Sequence, residues 1–293
     1  MCGIYGFIGK PSKQTRVILR ELAYLNETRG NQSSGYAVVY QDRYYLNKKA
    51  VKSSDFWDEK HPGALLRIGK NSKSCIFIGH ARYASSGAIS DKNAHPFRIG
   101  SIILAHNGGI DNFYELQLKY KTDYEVDSQI IGYLLASQGQ DMTFNKRLEG
   151  WYSVPWVDLN DPEVLHLARH NAPLALGMTK QGIYFSSDIE HLKAVNILLQ
   201  SKMTVLMTSN NTVYTLRSSG EHRIEKLKIH PPIVKYTFSN HWYDYNYAMD
   251  KSQYNWLPKN KKNKKIKLDK RLKNLSYFAN TLGYRHWNDD DEY

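Results

Sequence analysis

Along the first two hundred residues, apolar positions alternate with small or polar ones in short runs, and three-to-four spacing appears only in between. Cys2 to Ile8 reads as a strand, closed by Gly9-Lys10-Pro11-Ser12. Lys13 to Asn26 carries Val17, Leu19, Leu22 and Leu25 at helical spacing. Tyr36 to Tyr40 and Arg43 to Lys49 read as a hairpin, and Ile76 to Ala81 and Ser101 to His106 as buried strands that end in polar clusters. The pattern predicts helices over Phe113 to Tyr120, Val126 to Ser137 and Ile189 to Leu199. Strands are expected at Tyr152 to Asp158, Val164 to Arg169, Leu174 to Thr179, Ile183 to Ser187, Thr204 to Thr208 and Thr212 to Arg217. Many strands and few helices in one continuous stretch imply an α+β fold, with two stacked, mainly antiparallel sheets and helices on the outer faces. There is no internal repeat.

After Pro231-Pro232 the pattern breaks. Residues 236 to 256 are crowded with aromatics, and nine basic residues against one acid lie between Lys259 and Lys273. That strip holds most of the net charge of +12, so a nearly balanced body carries a basic tail. The expected organisation is therefore a catalytic-type domain over 1–230 and an aromatic-rich, basic extension over 231–293. Cations beside rings are the parts of a nucleic-acid surface running from Lys259 to Lys273. The alternative is a solvated lysine run behind aromatics that wrap onto the main body. No apolar stretch approaches the ~20 residues needed to cross a bilayer. With only Cys2 and Cys75, no disulfide framework is implied. Cys75 opens an apolar run and reads as a buried structural thiol. The expectation is a cytoplasmic protein that makes no membrane contact.

Chemistry enters at position 2. If Met1 is trimmed, Cys2 gains a free α-amine beside its thiol; such amines titrate near pKa ~8 and thiols near ~8.5. The amine can take the thiol proton through a water, so one residue supplies nucleophile and base. Taken alone, a cysteine at position 2 is more often an accident. It is joined by Thr28-Arg29-Gly30-Asn31-Gln32-Ser33-Ser34-Gly35, His80-Ala81-Arg82-Tyr83-Ala84-Ser85-Ser86-Gly87, Asn93-Ala94-His95-Pro96, Ala105-His106-Asn107-Gly108-Gly109 and Val126-Asp127-Ser128-Gln129. Together with Met1-Cys2-Gly3-Ile4-Tyr5-Gly6, these segments in this order resemble class II (N-terminal nucleophile) glutamine amidotransferases. They are nearest the glutaminase halves of glucosamine-6-phosphate synthase and glutamine phosphoribosylpyrophosphate amidotransferase. The resemblance covers roughly residues 2 to 215, and it implies the four-layer sandwich of that fold.

The resemblance also implies roles. Cys2 would form a γ-glutamyl thioester, and the Asn107 side-chain amide and Gly108 N–H would meet the oxyanion. Arg82 would clamp the carboxylate of free glutamine and Asp127 its ammonium, while Tyr83 and Ser85 would cover and hydrogen-bond the substrate. Arg29 and His106 would support from behind. The chain departs from the family at Ser85-Ser86, where threonine-histidine is usual, at Tyr83 for tryptophan, and at Gln32 for an acidic residue. Asn107-Gly108 also reads as an ordinary tight turn and Asp127 as a helix N-cap. His80, His95 and His106 have no metal-ligand spacing and read as hydrogen-bonding histidines, so neither metal nor cofactor is expected. The implied activity is hydrolysis of L-glutamine to glutamate and ammonia, with the ammonia passed to a separate partner synthase. Two rivals stand beside it: an inactive amidotransferase-fold protein acting as a scaffold or nucleic-acid-associated factor, and a hydrolase of another amide.

Overall fold

The computed structural model describes residues 2–40, 43–59, 74–138, 147–220 and 222–226. The expected extension, with its Lys259–Lys273 strip, lies outside these residues. The described chain forms two antiparallel sheets. In the first, the order is β12 (Thr204–Met207), β10 (Ala175–Met178), β11 (Gly182–Ser186), β1 (Gly3–Gly9), β4 (Cys75–Arg82), β2 (Ser33–Tyr40) and β3 (Arg43–Lys49). The second runs β14 (His222–Lys226), β13 (Thr212–Arg217), β9 (Val164–His170), β8 (Gly150–Asp158), β6 (Ile102–Leu104) and β5 (Phe97–Ile99), and β7 (Asn107–Ile110) also pairs with β8. Helices α1 (Lys13–Glu27), α2 (Ser53–Glu59) and α5 (Ile189–Leu198) cover the first sheet, and α3 (Phe113–Tyr120) and α4 (Asp127–Gln138) the second.

The strand period of two builds the layers. Within β1, Tyr5 and Phe7 face the helices with Ile18, Leu19 and Leu22 of α1, while Ile4 and Ile8 face the opposite sheet. In β4, Cys75 and Phe77 take the helix side and Ile76 and Ile78 the interior. Ile103, Val157, Leu165 and Leu167 answer from the second sheet. The outer face of that sheet, with Ile102, Leu104, Val154 and Trp156, packs on Ile130, Ile131 and Leu134 of α4. Because both faces of each sheet are covered, β1 and β4 are buried along their whole length. The expected four-layer sandwich is therefore the observed one, and Cys75 is a core residue whose burial pushes its thiol up to about 12.

Helix α1 starts where Ser12 and Thr15 form a capping box: the Thr15 N–H donates to Ser12 Oγ at 3.2 Å and the Ser12 N–H to Thr15 Oγ1 at 3.0 Å. The strand expected over Ser101 to His106 is shorter, β6 alone, and Asn107-Gly108, which also read as a tight turn, opens a further strand, β7. Ala105 still pairs, its N–H reaching Pro155 O at 3.1 Å, so the chain stays on β8 while changing its local geometry.

The interior layer carries the fold's stability. Ile103 is fully buried between the sheets. Ile103→Ala should lower unfolding free energy by about 2–5 kcal/mol, read as a shifted midpoint in urea with an unchanged slope.

Candidate functional site

At one end of the sandwich the apolar interior gives way to polar side chains on the same strand faces. The row Ile76 and Ile78 of β4 continues as His80 and Arg82. The row Ile4 and Ile8 of β1 begins one step earlier, at Cys2. From the second sheet, the Ile103–Val157 register leads to the Asn107–Ser153 pair. Strand alternation thus delivers a thiol, a guanidinium, an imidazole and an amide to one small volume.

Cys2 is held by its backbone more than by its side chain. Its carbonyl accepts from Arg29 Nε at 2.9 Å and from Asn107 Nδ2 at 2.8 Å. Arg29 itself lies 3.7 Å from the Asp188 carboxylate. Asn107 Nδ2 donates a second bond, at 2.6 Å, to Ser187 Oγ, which in turn accepts from the Ile4 N–H at 2.7 Å. Both amide hydrogens of Asn107 therefore have acceptors on the first sheet. The Cys2 Sγ sits 3.2 Å from both the N and the O of Tyr83. Burial pushes this thiol up, against the opposing pull of the Tyr83 backbone bond and the Arg82 charge.

Arg82 is 2% exposed. Its guanidinium donates to Ala88 O at 3.2 Å and to Ser86 O, and no carboxylate among the described residues lies at ion-pair distance. The loop that supplies those carbonyls is fastened on both flanks. Glu125 accepts from Lys92 Nζ at 2.6 Å and Asn93 Nδ2 at 2.7 Å. Lys48 Nζ donates to Lys92 O at 2.9 Å and Ala94 O at 2.7 Å, and burial lowers its pKa to about 8. Gln32, standing where an acid was expected, accepts from the Ala84 N–H at 2.6 Å. Tyr83 is 53% exposed at the mouth, and Ser85 is exposed beside it.

Asp127 opens α4. Its carboxylate accepts from Ile110 N at 3.1 Å and Ser128 N at 2.9 Å and lies 3.9 Å from His106 Nδ1. The three histidines are buried and hydrogen-bonded, as their scattered spacing suggested. His80 Nε2 donates to His106 O at 3.1 Å, and its ring stacks on His95 at 4.1 Å between centroids. His95 Nε2 and His106 Nδ1 meet the same Ser128 Oγ at 2.7 and 3.0 Å. Burial lowers His80 to about 3, and lowers His95 and His106 as well, so all three rings are neutral near pH 7. Gly108 has φ +145°, and a Cβ there would come 2.0 Å from Trp151 O and 2.7 Å from His106 Nε2, so only glycine fits.

These residues line one cleft of about 230 Å³ of open space, formed by Cys2, Arg82, Tyr83, Ser85, Ser86, His95, His106, Gly108 and Val126–Ser128. Its charged and hydrogen-bonding lining suits a small polar molecule. It brings a buried cation, a carboxylate and a thiol to one lining. Arg29 and Asn107 stand behind Cys2 rather than on the wall. Ser187 and Ser128 were given no role from sequence, since a serine signals nothing until its partners are known. Among the described residues no cluster of histidine, cysteine or carboxylate is arranged to hold a metal, and no helix is long and apolar enough to cross a membrane.

Residues 80–194 match the family described as the glutamine amidotransferase domain. The glutamine–fructose-6-phosphate aminotransferase (isomerizing) of Corynebacterium diphtheriae is 31% identical over 76% of this chain and 37% of its own length. The protein of the same name from Pyrococcus horikoshii is 35% identical over 64% of this chain and 33% of its own. The chain thus spans little more than a third of these curated relatives. Among solved structures, glutamine phosphoribosylpyrophosphate amidotransferase from B. subtilis has the same fold, with TM-score 0.60 at 20% identity over 77% of this chain and 49% of that one.

The neutral histidines link stability to pH. His80 has a folded pKa of about 3 against ~6.5 when unfolded, so below pH ~6.5 the unfolded state binds the proton preferentially. The stability it contributes is complete above pH ~6.5 and is lost as pH falls toward 3. Urea midpoints should drop between pH 7 and 4.5, and His80→Gln, which can still donate to His106 O, should show a shallower drop.

Proposed function

Because this chain carries a glutamine amidotransferase domain of the class II, N-terminal-nucleophile type, we propose that it hydrolyses free L-glutamine through Cys2, once Met1 has been removed. The observation that carries the reading is one small cleft lined by the Cys2 thiol, the buried Arg82 guanidinium and the Asp127 carboxylate. A buried guanidinium whose bonds go only to carbonyls is matched to a carboxylate, and Asp127 to an ammonium. Requiring both charges selects a free α-amino acid over a peptide.

In the first step the α-amine of Cys2 takes the thiol proton through a water, and the sulfur attacks the glutamine δ-carbon. Burial holds the thiol protonated, which is why it needs a base. The resulting oxyanion is met by the Gly108 N–H and by the Asn107 amide, which must exchange one of its bonds to Cys2 O or Ser187 Oγ. The amine's proton goes to the departing nitrogen, ammonia leaves, and the γ-glutamyl thioester remains. Water then adds to the thioester, the C–S bond breaks, and glutamate is released with the thiol restored. The ammonia goes to an acceptor on a separate synthase. The relatives' name makes a sugar phosphate the first acceptor to test.

A second reading, a scaffold that keeps the fold without turnover, draws on Asn107, whose two hydrogens are already engaged.

One experiment separates the two. Intact mass and glutamate release are measured on the same sample, wild type beside Cys2→Ala and Arg82→Lys. Loss of Met1 with glutamate release abolished by C2A is expected, and R82K should raise KM about 10- to 100-fold by losing the planar fork. Correctly trimmed protein that releases no glutamate, and that a glutamine-mimicking electrophile fails to label at Cys2, would favour the scaffold.

A further inference from the structure

Ser128 is 1% exposed and lies beside Asp127 at the start of α4, on the wall of the cleft. Its hydroxyl is the only hydrogen-bond partner, among the described residues, of both His95 Nε2 and His106 Nδ1. The other nitrogens of these rings, His95 Nδ1 and His106 Nε2, are buried and unpartnered. A hydroxyl has one hydrogen to give, so the direction of each bond follows from a count of protons.

His80 stands beside this pair and outside the count: its Nε2 faces a carbonyl and must carry the hydrogen, leaving Nδ1 bare. What fixes the count is the Asp127 carboxylate 3.9 Å from His106 Nδ1, which favours a hydrogen on that nitrogen. His106 Nδ1–H then donates to Ser128 Oγ, the Ser128 O–H donates to His95 Nε2, and the His95 hydrogen resides on Nδ1. The His106 ring so fixed lies against Gly108, where its Nε2 fills the space a side chain would need. The same residue's carbonyl receives the His80 bond, so the turn into Asn107–Gly108 is held from two sides.

We propose that Ser128 is a positioning residue: its single hydroxyl proton orders the His106 and His95 imidazoles, and through His106 it fixes the Gly108 N–H toward the atom bound at Cys2. This rests on the glutaminase reading for the step it serves, though the proton arrangement does not. Ser128 never touches the reacting atoms; it acts through a ring. Its effect should therefore fall on the step in which the oxyanion forms, and little on glutamine affinity.

The test uses the full chain, 15N-labelled, as wild type, Ser128→Ala and Ser128→Thr. In the wild type, ring-nitrogen spectra should show His95 and His106 protonated at Nδ1 and His80 at Nε2. In S128A the His95 pattern should shift toward Nε2–H and the Gly108 amide signal should move. Glutamate release should fall about 10- to 100-fold in kcat, as for a small misplacement of a reacting group, while KM changes by less than about threefold. S128T, which keeps the hydroxyl, should restore all three. A ring pattern unchanged in S128A overturns the proposal, as does a normally melting S128A with altered rings and full kcat. If S128A does not fold, Ser128→Cys, with its weaker donor, carries the same comparison and must fall between wild type and loss. A wild type that releases no glutamate would sink the glutaminase reading alone, and the ring pattern would still decide the proton arrangement.

Discussion

The Asn107 side chain joins the two sheets at the point where the cleft opens. From β7 of one sheet it donates to Cys2 O and Ser187 Oγ of the other, and Ser187 in turn receives the Ile4 N–H. Through the middle of the interior the sheets meet through apolar side chains, whose contact is non-directional and tolerates small shifts. A hydrogen-bonded bridge does not. It sets the distance between the layers at one end and fixes where the thiol stands relative to everything delivered by the second sheet: Gly108, His106 and, through Ile110, Asp127. Breaking it would leave buried donors and acceptors unmatched, at about 1–3 kcal/mol for each group without a partner.

Around that bridge the polar groups are arranged so that few remain charged. Arg82 is the buried exception, and its bonds go to backbone carbonyls of its own loop. The histidines are neutral because burial outweighs every neighbouring charge, including Asp127 beside His106. A neutral ring can fix geometry through one donor and one acceptor without placing a second positive charge near Arg82. This explains how three imidazoles can pack behind a cation without repelling it.

Much of this was legible in the sequence because period and punctuation agreed. Arg43–Lys49 and Phe113–Tyr120 form over the residues their patterns indicated, and α1 begins at its capping box. Four elements escaped. Helix α2 is seven residues long, too short for a period to declare itself, and it exists because Phe56 and Trp57 bury against Tyr36 and Phe77. Strands β5, β7 and β14, of three, four and five residues, are defined by pairing with neighbours rather than by their own composition. Within the cleft, Cys2, Arg82, Gly108 and Asp127 stood out by motif. Ser187 and Ser128 could not, since their meaning lies in partners 80 and 22 residues away along the chain.

The alternation that brings Cys2 to the interior has a further consequence for how such a chain can change over generations. Side chains along β1 can be exchanged for others of similar volume. The number of residues cannot change, because inserting one between Cys2 and the paired stretch Gly3–Gly9, or deleting the first of that stretch, would turn the thiol to the helix side. The same parity binds β4 between Ile78 and Arg82. Drift in these segments is therefore confined to spelling and closed to length, whereas exposed turns such as the one joining β8 to β9 can take up extra residues.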